Sequence, residues 1–367
     1  MATTTTTTAQ SVEQQLSAFK IKGSEAVEAA PEDYKYRRFL PEWTTTLKLP
    51  PLEPFEHVDP GHKALSDPNP LSFLENAQIR HLTPDFGSEI ISGVDLTALG
   101  DRERAQLALF VAKRGVVVFR DQQKFVDAEP EWWIKDWTSH FGRPHIHPVS
   151  GQPEAFPELH LVWREDKGTT DEQAFLGRLS TTTIHSDVSY EAQPPGLTAL
   201  FLFDTPTDGG GDTLFVDQVK AYKRLSPSFR EYLETLKVEH SGFEQAKRSA
   251  ELHGADSIKR QPVRHIHPLV RRHPVTGEKA LYVNQGFSRR IVGLKQEESD
   301  AILALLYDHI SKGHDFQARV RWGELGSVTL WDNRITAHSA LVDWDNGMNG
   351  KRRHGARLTP QAERPTL

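Results

Sequence analysis

The sequence predicts a mainly β fold with flanking α-helices, arranged as a sandwich or jelly roll. Three observations carry this. Short β-rich runs separated by Gly, Pro and Asp fill the second half of the chain. Two amphipathic helical stretches interrupt those runs. Ahead of them a helical pattern leads into a continuous apolar strand. No repeat of fixed period is present.

The elements follow in order. The first ten residues are threonine-rich, low in complexity, and read as disordered. The stretch from Pro31 to Pro70 carries Tyr34, Tyr36, Phe39, Trp43 and Phe55 without helical periodicity. That composition predicts an extended arm whose rings pack on a surface. Residues 1–75 are therefore expected to be an N-terminal extension and residues 76–367 the main domain, with compact structure starting near Leu74. Asp101 is expected to cap a helix running to Lys113, with Leu107, Phe110 and Val111 on its buried side and Gly115 at its end. Val116 to Phe119 reads as a buried strand, and Trp132 to Phe141 as a second helix. Strands are expected over Leu197–Phe203, Thr213–Val216, Ala280–Val283, Ser327–Trp331 and Gly355–Leu358. Helices are expected over Ser228–Leu236 and Gln296–Ser311, the latter with Ile302, Leu303, Leu306 and Ile310 as its apolar stripe.

Bulk composition narrows the function. The 367 residues are 37% apolar and 26% charged, enough for a real core. The net charge of −6 argues against a general nucleic-acid binder. No apolar run approaches the ~20 residues that cross a bilayer, and the N-terminus lacks the pattern of a secretory signal. A cytoplasmic protein without nucleic-acid or membrane partners is expected, and whether it forms a homo-oligomer stays open. With no cysteine, disulfides, thiolate metal sites and a cysteine nucleophile are excluded. Any metal must be held by His, Asp and Glu.

Seventeen histidines offer several metal pairs. His145/His147, His185/Asp187 and His265/His267 each place two ligands on one face of a strand. Context favours His185 and Asp187, in Thr183-Ile-His-Ser-Asp-Val-Ser-Tyr190, which a proline-rich turn joins to an apolar strand. His338 follows downstream, where a strand runs into a turn. Two histidines and a carboxylate make the facial triad of non-heme iron oxygenases, which leaves positions open for an oxo-acid and O2. A dicarboxylate co-substrate also needs a buried cation, best a planar arginine. On a strand Arg353 and Arg357 share a face, and two inward arginines are costly unless each meets an anion. One would meet the co-substrate and the other the substrate. His265 and His267 read as a surface or strand-end pair.

At these residues the chain resembles the taurine dioxygenase family of 2-oxoglutarate-dependent oxygenases. The resemblance lies in His185-Ser-Asp187, Gly-Gly-Asp212-Thr213, Trp331-Asp-Asn-Arg-Ile-Thr-Ala-His338, Arg352-Arg353 and Arg357. Phe141-Gly-Arg-Pro-His-Ile-His147-Pro, His273-Pro-Val-Thr-Gly and Val283-Asn-Gln-Gly-Phe287 extend it, so that it spans about Ile79 to Leu358. The N-terminal arm resembles that of the fungal sulfonate dioxygenases. The resemblance implies a double-stranded β-helix (jelly-roll) core. It implies Fe(II) on His185, Asp187 and His338, and 2-oxoglutarate on Thr213 and Arg353, with O2 as second co-substrate. It implies a sulfonate held by His147 and Arg357, in a pocket lined by Phe287. Ser150 and Thr181 stand where the family has a tyrosine and an asparagine that serve the amine of taurine, and Ile184 replaces a tryptophan. The anion site is thus kept while the amine site is rebuilt. Hydroxylation beside a sulfonate would release sulfite and an aldehyde. A biosynthetic oxygenase acting on a carboxylate, sulfate ester or larger metabolite, and a non-catalytic metal-binding jelly roll, are the alternatives.

Overall fold

A computed structural model describes residues 30, 32–43, 45–165, 183–206, 209–323, 326–341, 343 and 352–367. The strands in chain order are β1 Gln78–His81, β2 Ser88–Ser92, β3 Val116–Phe119, β4 Arg143–Pro144, β5 His160–Glu165, β6 Leu197–Asp204, β7 Thr213–Asp217, β8 Lys237–Ser241, β9 Arg264–Pro268, β10 Val270–Arg272, β11 Lys279–Leu281, β12 Ser288–Ile291, β13 Gln317–Val320, β14 Val328–Asp332, β15 Thr336–Ala340, β16 Arg352–Leu358 and β17 Pro360–Gln361. Seven of them form one sheet in the order β1-β2-β3-β14-β6-β16-β5. A smaller sheet has the order β13-β7-β15, and a third has β12-β8-β9. Pairing is antiparallel except between β2 and β3.

The period-2 alternation of side chains explains the layering. On the large sheet Val117, Phe119, Ala199, Phe201, Phe203, Leu330, Ala356 and Leu358 point to one side. There they meet Leu107 and Val111 of the helix Asp101–Arg114 and the rings of Phe125, Trp133 and Trp137. Val116, Val118, Leu200, Leu202 and Trp331 point to the other side, toward Phe215 and Val320 of the small sheet. The back of the small sheet, at Val216 and Ala337, is covered by Leu303, Leu306 and Ile310 of the helix Gln296–Lys312. The result is mostly sheet with helices outside. The space between the two sheets receives every inward side chain of β7, β15 and β16.

Most expected elements are present, with shifted ends. The first helix starts one residue earlier in role than expected. Gly100 is its N-cap and Asp101 lies in its first turn, where a carboxylate still favours the helix dipole. The stretch from Trp132 is a π-helical segment to Thr138 that closes with a short α-turn to Phe141. The expected strand Ala280–Val283 is instead Lys279–Leu281. Two helices, Gln218–Arg224 and Phe243–His253, were not expected from sequence; their buried positions are too few to make an apolar stripe. The threonine-rich start lies outside the described residues. Among the described residues no helix is long and apolar enough to cross a membrane.

The aromatic residues of the arm pack on the large sheet and the loops beside it. Tyr36 and Phe39 both stack on Phe203, at 4.6 and 4.9 Å between ring centres. Trp43 stacks on His253 at 3.9 Å, and the Arg143 guanidinium lies over Phe55.

A buried ionic network fixes the turn between β14 and β15. Asp332 accepts hydrogen bonds from Arg334 Nε and Nη2 at 2.8 and 2.6 Å and from His273 Nε2 at 2.9 Å. Arg334 also pairs with Asp59 of the arm and with Glu363 near the C-terminus. Burial alone would raise the Asp332 pKa, but Arg334 and His273 hold it well below the usual carboxylate range. The unfolded chain then binds the extra proton. This stabilisation is present above the ordinary carboxylate pKa and is lost as the pH falls toward the folded-state value. Replacing Arg334 by Met strands two buried carboxylates. It is expected to lower the unfolding free energy by about 3–5 kcal/mol, read as a midpoint shift in urea. A loss below about 1 kcal/mol would show that the turn is held by other contacts.

Candidate active site

The strand β15 and the segment after Thr183 approach as neighbours. His185 and His338 exchange both backbone hydrogen bonds, N–H to O at 2.9 and 2.8 Å, as a lone antiparallel bridge at the edge of the small sheet. Because Ala337 faces the outer helices, His338 faces the space between the sheets, 5.0 Å from Trp331 and 5.7 Å from Phe215 by ring centres. Asp187 lies two residues beyond His185. Its backbone N–H donates to Asn333 Oδ1 at 2.7 Å, and Asn333 Nδ2 returns a bond to Asp187 O at 3.1 Å. Asn333 belongs to the turn that Asp332 and Arg334 brace. Ser186 Oγ donates to Thr336 O and completes the attachment.

His185, Asp187 and His338 each offer a ligand atom within 4.8 Å of the others. Asp187 Oδ1 lies 3.5 Å from His185 Nε2 and 3.6 Å from His338 Nε2. His185 Nδ1 is 2.7 Å from Thr183 O, so its hydrogen sits there and Nε2 keeps its lone pair. Burial brings the His338 pKa down to about 3, so this ring is neutral and able to bind a metal. Asp187 Oδ2 is buried and has no hydrogen-bond partner among the described residues. A buried carboxylate with one orphaned oxygen, beside two imidazole nitrogens, fits a divalent cation with N/O preference.

Arg353 and Arg357 lie on the inner face of β16, because His354, Ala356 and Leu358 turn outward. Gly355 sits between them. A Cβ there would meet Phe201 O at 2.3 Å, so only glycine lets β16 keep its place beside β6, where the register shifts. Arg353 Nε donates to Gly211 O at 2.8 Å and Nη2 to Thr213 Oγ1 at 3.3 Å. Gly209, Gly210 and Gly211 all have positive φ, which lets the chain turn tightly into β7 and aim the Gly211 carbonyl at the guanidinium.

Arg357 corrects the expectation that it would lack an anion without substrate. Its Nη1 donates to Asp187 Oδ1 at 2.6 Å, and its Nη2 lies 2.9 Å from His160 Nδ1. Burial would raise the Asp187 pKa, yet the Arg357 guanidinium holds it well below the usual range. His147 is buried, and its Nδ1 accepts the N–H groups of Val149 and Ser150 at 3.2 and 3.0 Å. The ring hydrogen is therefore on Nε2. Burial, reinforced by His160, holds its pKa well below the usual histidine value. Ser150 Oγ lies 3.3 Å from His160 Nε2. Phe287 is buried edge-on to His185 at 6.1 Å. Thr181 lies outside the described residues. His145 is buried and 3.4 Å from Glu191. His265 and His267 are not a surface pair. His267 is buried, and the two rings bond the carbonyls of Tyr190 and Glu191 in the loop after Asp187, so their strand braces that loop.

Sequence reasoning missed His160. It stands opposite Arg357 in the β5–β16 register but is 197 residues away in the chain, outside any motif. It also missed the work of Asn333 and Arg334. Both lay within a quoted motif, whose polar residues inside a strand-turn-strand were the available signal.

Known proteins share these features. Residues 78–359 match the model of the "Taurine catabolism dioxygenase TauD, TfdA family". The chain is 45% identical over 337 residues to an alpha-ketoglutarate-dependent sulfonate dioxygenase of Saccharomyces cerevisiae, covering 91% of this chain and 79% of that one. It is 42% identical over 344 residues to the alpha-ketoglutarate-dependent dioxygenase cnsM of Penicillium expansum, covering 93% of each. A taurine dioxygenase structure from Burkholderia xenovorans superposes with a TM-score of 0.61 at 30% identity, covering 79% of this chain and 93% of that one. The chain therefore belongs to the TauD, TfdA family and is an Fe(II)- and 2-oxoglutarate-dependent dioxygenase that uses O2.

Proposed function

We propose that this enzyme hydroxylates an alkyl sulfonate at the carbon bearing sulfur, releasing sulfite and an aldehyde. The observation that carries this reading is the convergence of Arg357 and His147 beside the His185–Asp187–His338 cluster. The name of the yeast relative, a sulfonate dioxygenase, supports it. In this reading residues 76–367 are the dioxygenase domain with a double-stranded β-helix (jelly-roll) core, and residues 1–75 are an extension laid over it. The likeness to the Burkholderia structure supports the core assignment.

His185, Asp187 and His338 hold Fe(II). The metal supplies the oxidising chemistry, in which 2-oxoglutarate and O2 give succinate, CO2 and one oxygen atom for a substrate C–H bond. Arg353, with Thr213 beside it, takes the carboxylate of 2-oxoglutarate far from the metal as a bidentate partner. Arg357 and the Nε2–H of His147 take the sulfonate. Phe287 closes the apolar side, and Ser150 and Thr181 stand in place of the tyrosine and asparagine that serve the taurine amine in the family. Held this way, the substrate keeps its sulfur-bearing carbon toward the three ligands. After hydroxylation the C–S bond breaks, its electron pair leaves with sulfite, and the hydroxyl proton is lost as the aldehyde forms.

The metal assignment is checked with Asp187→Ala. Loss of the anionic ligand is expected to abolish Fe(II) retention in equilibrium dialysis while leaving circular dichroism near that of the wild type. Wild-type retention by the variant would move the metal elsewhere.

For Arg353, removing the cation facing a buried carboxylate costs about 3–5 kcal/mol, or two to three orders of magnitude. Arg353→Ala should raise the 2-oxoglutarate requirement by that factor with a smaller effect on the sulfonate. Unchanged 2-oxoglutarate dependence would assign the co-substrate to another cation.

The substrate assignment rests on charge. Oxygen consumption should be faster with an alkyl sulfonate than with a neutral analogue of the same shape, and slower with taurine than with a sulfonate lacking an amine. Arg357→Ala should remove the preference for the anion. Equal rates for the neutral analogue would replace this reading with a biosynthetic oxygenase of another substrate class.

A further inference from the structure

We propose that His160 is a specificity-determining residue of the substrate pocket, supplying with His147 and Arg357 the third donor for a three-oxygen head group. This rests on the sulfonate reading above and deepens it.

Four observations carry the proposal. First, His160 is partly buried on β5, directly opposite Arg357 in the register with β16. Second, its ring centre is 4.7 Å from that of His147, with the planes at 77°. Arg357 Nη2 reaches both its nitrogens, at 2.9 and 3.0 Å. Three side chains able to donate thus meet at one place beside Asp187. Third, His160 must act as a neutral ring. Burial and then the Arg357 guanidinium hold its pKa well below the usual histidine value. A neutral imidazole has one accepting nitrogen and one N–H. The acceptor can take a guanidinium hydrogen, and the N–H then holds a long contact to Ser150 Oγ, at 3.3 or 3.4 Å, which a ligand oxygen can replace. Fourth, a further basic side chain stands beside these rings. Lys259 is buried, and its Nζ donates to Ser150 O. It acts through space on both His147 and His160. Burial, with Arg260 and Lys48 nearby, brings its pKa down to about 7. Arg357 Nε–H is also buried with no hydrogen-bond partner among the described residues.

A carboxylate head has two oxygens, which Arg357 and His147 can satisfy. A sulfonate has a third. His160 stands where it can meet that oxygen, so it separates the two head groups instead of merely raising affinity for both.

The test uses His160→Phe, which keeps a flat ring of similar size without nitrogen, and His160→Gln, which restores an N–H. Calorimetry on the Fe(II) and 2-oxoglutarate complex without O2 would measure hexanesulfonate and heptanoate binding, and succinate formation would give the KM for 2-oxoglutarate. Loss of a hydrogen bond to a charged group corresponds to roughly a tenfold to hundredfold change. His160→Phe is expected to weaken hexanesulfonate by that factor, to change heptanoate less than threefold, and to leave the KM for 2-oxoglutarate within twofold. His160→Gln should recover most of the sulfonate affinity. If the wild type binds hexanesulfonate and His160→Phe binds it equally well, or if both ligands weaken together, the role of His160 is overturned. If the wild type binds no sulfonate, the substrate reading itself fails. If His160→Phe does not fold, His160→Gln decides. Selective weakening of the sulfonate that does not exceed threefold supports a retained donor, and equal weakening of both ligands overturns the proposal.

Discussion

Asp187 is buried, and an isolated carboxylate in such a place would take up a proton instead of keeping its charge. The Arg357 guanidinium beside it prevents this. Arg357 and His338 both reach Asp187 from distant parts of the chain, so the site requires several segments to meet. His185 arrives by the backbone bridge to His338. Asn333 ties the Asp187 backbone to the β14–β15 turn. That turn is held by Arg334, which itself is balanced by Asp332, Asp59 and Glu363. One ionic chain therefore runs from the arm and the C-terminus to the carboxylate. A buried pair of this sort adds little net stability over apolar residues. Its value here is positional, since no apolar replacement could aim Asn333.

The fold was legible where one physical rule governed a run of residues. β3, β6 and β14 are apolar on both faces because each face meets a different layer, and such runs stand out in a sequence. The helix Gln296–Lys312 has one apolar stripe and could be read from its period. Short elements were not legible. β8, β9 and β12 form a third sheet whose strands are only four or five residues long and carry polar side chains on their exposed faces. The order of strands in the large sheet also could not be read, because β14 and β16 reach β3 and β5 from far along the chain.

The site divides in the same way. His185, Asp187 and His338 were readable as a candidate set because two histidines and a carboxylate are residue types that metal binding demands, and the fold brings their ligand atoms together. Arg353 and Arg357 were readable as a pair through the strand period. What escaped was the cross-strand partner. The acid that Arg357 meets was taken to be the substrate, whereas Asp187 already supplies one. His160 was hidden because its relation to Arg357 exists only in the β5–β16 register. For His265 and His267, two carbonyls of the loop after Asp187 needed donors, and the sequence held no sign of them.

The arm shows why the outside of the site matters to its inside. His354 lies on β16 between Arg353 and Arg357 in sequence terms but faces away from them. Its Nδ1 is 2.7 Å from Tyr34 Oη and its Nε2 is 2.8 Å from Phe39 O. The carbonyl can only accept, so Nε2 carries the hydrogen and Nδ1 accepts from the phenol. Burial brings the His354 pKa down to about 3, which keeps this pattern intact across the physiological range. The arm then pairs with the loop between β4 and β5 through the reciprocal backbone bonds of Glu42 and Gln152, and with the loop after Asp187 through Gln193 and Phe55. A strand bonded to neighbours along both edges can still tilt about its axis, and a tilt would move both arginines together. Fastening His354 at both nitrogens opposes that tilt from behind. The same segment that lies outside the matched family residues thus braces, from behind, the strand that carries Arg353 and Arg357.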